Sequence, residues 1–162
     1  MKSFPSYKVN PKDIEYSIQV MTDPFLAPIM DSFGNKIWKN KEGQRHRING
    51  PAIIYSDNHM EYFFEGKLHR TDGPALFYND GYEAYFLHGI RHREDGPALI
   101  YEDGTEVYYV HGLKHRDDGP AQISPNGHKE FWINNEIIDE KDFWALKKAK
   151  QIEIIPFIYS KS

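Results

Sequence analysis

The sequence predicts a mainly β protein: an elongated, twisted, single-layer antiparallel sheet of about four to five 23-residue β-hairpin repeats, with short helical or irregular caps at both ends. Three observations predict it. His-Arg recurs at His46-Arg47, His69-Arg70, His92-Arg93 and His115-Arg116, a period of 23 residues, with Gly-Pro-Ala following at Gly50, Gly73, Gly96 and Gly119. The same period carries a turn signal at Asp57-Asn58, Asp80-Gly81, Asp103-Gly104 and Asn126-Gly127. Paired aromatics follow each turn, at Tyr62-Phe63, Tyr85-Phe86, Tyr108-Tyr109 and Phe131-Trp132.

In chain order, residues 1–30 are expected to form an N-terminal cap. Within it Asn10 is a candidate N-cap, Pro11 stands at the first helical position, and Ile14, Ile18 and Met21 have helical spacing. Residues 31–138 form the array, which opens with a partial copy, "FGNKIWKNKEGQRHR" (residues 33–47), placing Trp38 among strand residues. A full unit contains a run such as "ALIY" (residues 98–101), an Asp-Gly turn, and a second run such as "TEVYYV" (residues 105–110), which together read as a hairpin. In the linker "HGLKHRDDGPA", Gly112 and Gly119 are read as positions of positive φ where the chain reverses. Residues 139–162 form the C-terminal cap: Asp139 as N-cap, acids then lysines along "DEKDFWALKKAK", and a strand-like tail from Gln151 to Ser160. The three segments are read as one structural domain.

Composition narrows the function classes. The chain has 162 residues and no cysteine, which removes disulfides, thiolate nucleophiles and cysteine-based zinc sites. Aromatics make up 15%, so its hydrophobicity is concentrated in rings. Residues 46–138 hold 8 Lys+Arg against 15 Asp+Glu, a net −7, and the flanks carry +3. That sign is the reverse of what nucleic-acid binding needs, so no nucleic-acid partner is expected. No run of apolar residues suits a membrane span, and "MKSFPSYKVNPKD" lacks the apolar core of a signal peptide. The expectation is a cytoplasmic protein without a membrane partner.

The columns of "YEAYFLHGIRHREDGPALIYEDG" (residues 82–104) resemble the MORN repeat, with His-Arg-x-Asp-Gly-Pro where MORN has His-Gly-x-Gly. They are more similar still to an "HRxDGPA" variant of uncharacterised tailed-phage and giant-virus proteins. The resemblance covers about residues 30–138. It implies a platform of stacked hairpins for binding proteins, no catalytic residues to carry across, and, for a viral protein, a setting in the host cell cytoplasm.

Four readings of the repeated residues follow. As structural turns, Asn49, Asp72, Asp95 and Asp118 accept backbone N–H bonds in Asx-type turns while the neighbouring arginine pairs with the carboxylate. As an anion or nucleotide ladder, Arg47, Arg70, Arg93 and Arg116 with His46, His69, His92 and His115 line one edge. As an enzyme, a His-Arg-x-Asp turn supplies acid-base groups, but four copies argue against a single enclosed site. As an interaction surface, the aromatics separate by strand alternation into the rows Tyr85, Tyr108, Phe131 and Phe86, Tyr109, Trp132, of which only the row left uncovered binds a protein partner. Equivalent histidines lie about 10 Å apart, two strand spacings, too far to share a zinc ion. The expectation is a non-enzymatic, protein-binding repeat module without metal or cofactor, able to form homo-oligomers through its sheet edges.

Overall fold

The computed structural model describes residues 27–149. The helix expected near Asn10 and the strand expected after Gln151 lie outside the described residues. The chain is mainly β. Eleven strands form one open antiparallel sheet in chain order: Ile29–Met30, Lys36–Ile37, Ile53–Ile54, Met60–Glu61, Leu76–Phe77, Glu83–Ala84, Leu99–Ile100, Glu106–Val107, Gln122–Ile123, Lys129–Ile133 and Glu136–Ile138.

Each Asp-Gly type turn closes a three-residue loop. Gly81 donates to Tyr78 O and Tyr78 N donates to Tyr82 O, with Gly81 at φ +95°; the same pattern recurs at Asn58, Gly104 and Gly127. This is a turn followed by a left-handed residue. The Asx-type bond belongs here: Asp57, Asp80, Asp103 and Asn126 accept the N–H of His59, Tyr82, Thr105 and His128 at 2.8–3.3 Å.

Each outgoing strand then continues past the sheet. Tyr85 N donates to Ala98 O and Tyr85 O accepts from His92 N, so one strand runs on into a second hairpin, Phe86–Leu87 with Ile90–Arg91. Phe63–Phe64 with Lys67–Leu68 and Tyr109–Val110 with Leu113–Lys114 repeat it. Its central residues are Glu65-Gly66, His88-Gly89 and His111-Gly112, all at positive φ, the requirement of a type I′ hairpin. The return limb is interrupted between Arg93 and Ala98 by the loop that carries the His-Arg-x-Asp-Gly-Pro motif. The partial first copy has a longer loop ending at Gly43, and Trp38 takes the column of Tyr62 and Tyr85: its O accepts from His46 N, as Tyr62 O accepts from His69 N.

Cross-strand register sorts the side chains. Ile53, Glu61, Leu76, Ala84, Leu99, Val107, Gln122 and Glu130 lie on one face, and Ile54, Met60, Phe77, Glu83, Ile100, Glu106, Ile123 and Lys129 on the other. The first face holds the central core of Ala84, Leu99 and Val107, with Leu76, Tyr82, Phe86 and Tyr109 packed on it. At the far end a helix, α1 (Glu140–Lys148), begins at Asp139, whose carboxylate accepts from Lys141 N at 2.9 Å. Its fully buried Phe143 packs on Phe131 with ring centroids 4.9 Å apart, closing the last repeat.

Candidate interaction surface

The repeated motif is an internal brace. In successive copies the guanidinium of Arg47, Arg70, Arg93 and Arg116 stacks on the ring of Trp38, Tyr62, Tyr85 and Tyr108, at 3.9–4.1 Å from the centroid. Its Nη1 donates to the carbonyl of Pro51, Pro74, Pro97 or Pro120 at 3.2–3.3 Å. In the last three copies Nε donates to Asp72, Asp95 or Asp118 at 2.6–2.8 Å. The side-chain bond to arginine is the first cause holding the carboxyls of Asp72 and Asp95 below the usual carboxylate range.

The expected pairing of the neighbouring arginine with the carboxylate is present at Asp72, Asp95 and Asp118, and a backbone N–H adds to it at Asp72 and Asp95. The expectation for Gly119 is corrected, since it has no positive φ. The glycine column answers to the arginine: a Cβ on Gly73 or Gly96 would sit 2.9 Å from Cζ of Arg70 or Arg93. The alanines after proline, Ala52, Ala75, Ala98 and Ala121, are wholly buried.

The histidines of the ladder are structural donors' partners too. Nδ1 of His46, His69, His92 and His115 accepts the N–H of Glu65, His88, His111 and Asn134 at 2.9–3.1 Å. Each accepting histidine thus holds the left-handed residue of the next repeat's type I′ turn. Burial is the main cause lowering the His46 and His92 imidazoles below the ordinary value, with the neighbouring His111 adding to the effect at His92. The sequence carries no local signal for this bond, whose two ends lie 19 residues apart.

The aromatic pairs separate as strand alternation requires. Tyr85 and Tyr108 lie under Arg93 and Arg116, and Phe131 lies under Phe143. The other row, Phe63, Phe86, Tyr109 and Trp132, shares the face of Ala84 and Leu99 and alternates with cations that sequence reading did not single out. Arg45 lies 5.3 Å from the Phe63 centroid, Arg91 lies 5.6 Å from both Phe86 and Tyr109, and Lys114 Nζ lies 4.3 Å from Trp132. Lys114 is held by Glu130 at 2.9 Å, and Trp132 Nε1 donates to the same carboxylate, which falls to a pKa of about 2. Among the described residues no carboxylate lies within ion-pair distance of Arg45 or Arg91. The signal for this row is the column one residue before each His-Arg: Arg45, Leu68, Arg91, Lys114.

At the turn end of the same face, Tyr55, His59, Tyr78, Tyr82 and Tyr101 form a second aromatic file, with His59 stacked on Tyr78 at 4.5 Å and Tyr78 on Tyr82 at 5.2 Å. Among the described residues no group of three or more His, Asp or Glu side chains could hold a metal ion. No helix among them is long and apolar enough to cross a membrane. Neither a family model nor a curated protein matches the chain.

Proposed function

We propose that the protein is a non-catalytic binding module that meets a protein partner on the face of Phe86, Tyr109 and Trp132. One observation carries this reading: the two aromatic rows are spent differently. On one face the rings of Tyr62, Tyr85 and Tyr108 are capped by arginines that are themselves tied to aspartate and to proline carbonyls. On the other, the rings alternate with Arg45 and Arg91, whose guanidinium groups have no carboxylate partner among the described residues. Rings beside guanidinium groups that no carboxylate neutralises are the composition in which interface energy concentrates. The MORN-like columns support the same reading, and a viral protein engaging a host protein is the setting they suggest.

The test is capture of the partner from the natural host's lysate by immobilised wild type and by Arg91→Ala. Arg91 makes no ion pair within the described chain, so its removal should weaken capture at least about tenfold, roughly 1.4 kcal/mol, with stability nearly unchanged. Glu94→Ala, on the motif loop, should capture normally. Undiminished capture by Arg91→Ala together with loss by Glu94→Ala would move the interface to the loops.

A further inference from the structure

We propose that His46, His69, His92 and His115 form a proton-operated seam along the array, in which each neutral imidazole ties its repeat to the next and each protonated one releases it. A neutral imidazole has one N–H and one acceptor nitrogen. Here the acceptor is Nδ1 at every position, because a backbone N–H points at it from 2.9–3.1 Å. The ring hydrogen is therefore on Nε2, and an added proton has only Nδ1 to occupy. There it meets the N–H of Glu65, His88, His111 or Asn134 head on, and the bond is replaced by opposed donors.

The surroundings decide how readily this happens. His46 and His92 are buried, at 2% and 8% exposure, so a charged ring is poorly solvated there. His69 and His92 also lie against a second histidine, His88 at 4.2 Å and His111 at 4.5 Å between ring centroids, and two charged rings would repel. Carboxylates act in the opposite sense: Glu65 and Glu42 face His46, Glu94 Oε1 stands 3.7 Å from Nε2 of His92, and Asp117 Oδ1 stands 3.1 Å from Nε2 of His115. At His92 and His115 they sit at Nε2, which already carries hydrogen, and cannot replace the acceptor lost at Nδ1.

The consequence has a definite sign. Burial holds His46 and His92 below the unfolded value of 6.5. Their contribution to stability is therefore complete above 6.5 and is lost as pH falls through the lowered folded values. The array's carboxylates at Asp72, Asp95 and Glu130 are held below their ordinary range, so they titrate beneath this window.

The experiment compares urea unfolding of the full chain at about pH 7.5 and about pH 5 for wild type and for the variant His46→Asn, His69→Asn, His92→Asn, His115→Asn. Asn Oδ1 can stand near the place of Nδ1, accept the same N–H and never titrate. The wild-type unfolding constant should rise at least about tenfold on acidification, and the variant's clearly less. If the fourfold variant does not fold, His92→Asn alone is compared, and the wild-type His92 ring is followed by NMR. The ring should carry hydrogen on Nε2 at neutral pH, and its titration should coincide with loss of exchange protection at the His111 amide. An Nδ1–H tautomer, a wild type indifferent to pH in this window, or an asparagine variant that loses as much as wild type would each overturn the seam.

Discussion

Arg93 shows how much one residue of the motif does. It stacks on Tyr85, bonds Asp95 and Pro97 O, and occupies the space that the missing Cβ of Gly96 leaves open. Arg93→Ala should therefore cost about 1–3 kcal/mol in urea unfolding. Lysine should recover little, since it lacks the planar fork that stacks and bonds at once. Gly96→Ala should also destabilise, by pushing the guanidinium off its ring, but should cost almost nothing in an Arg93→Ala background; equal cost in both backgrounds would separate the glycine from the arginine. The Asp95 side chain is 85% exposed, so Asp95→Ala and Asp95→Asn should each cost no more than about 0.5 kcal/mol. The columns of this motif were legible in the sequence. So was the pairing of arginine with aspartate; the stacking of each arginine on a ring eight or nine residues back was not, because no local pattern encodes it.

Among the elements, the Asp-Gly turns were the most legible, since their residue types are set by local backbone geometry alone. The second turn was visible as a glycine column, but the residue before each glycine gave less away. Glu65, His88 and His111 adopt φ near +50° although none is glycine, and each has its N–H fixed by a histidine of the preceding repeat. Tertiary contact rather than propensity places them there. His88→Val, which retains the N–H but resists positive φ, should cost about 1–2 kcal/mol, whereas His88→Asn should be nearly neutral, as Asn134 is in the fourth copy. Helix α1 was legible from Asp139 and its charge order, and its packing partner less so. Phe143 fills the place over Phe131 that arginine fills in the other repeats. Phe143→Ala should cost about 3–5 kcal/mol, with hydrogen exchange showing the last repeat opening before the central ones.

At the scale of the whole molecule, the repeats form an open sheet whose two faces are furnished differently. The motif loops and α1 furnish one face with arginines and Phe143 that serve the fold. The other carries the core of Ala84, Leu99 and Val107, with buried Phe63 beside it, and sets Phe86, Tyr109 and Trp132 between Arg45, Arg91 and Lys114. Strand alternation made the two rows legible, but which row the arginines cover depended on side chains folding back eight residues, from Arg93 onto Tyr85, which no local pattern encodes.

Arg91 and Arg93, two residues apart, test the proposed division of the faces most directly. Unfolding free energy and partner capture should be measured on the same preparations of Arg91→Ala and Arg93→Ala, with capture normalised to folded protein. Arg93→Ala should lose stability and capture normally, while Arg91→Ala should keep its stability and lose capture at least about tenfold. The opposite pattern, with Arg93→Ala stable but unable to capture and Arg91→Ala unaffected, would contradict the division of the faces and return the arginine ladder as the binding site.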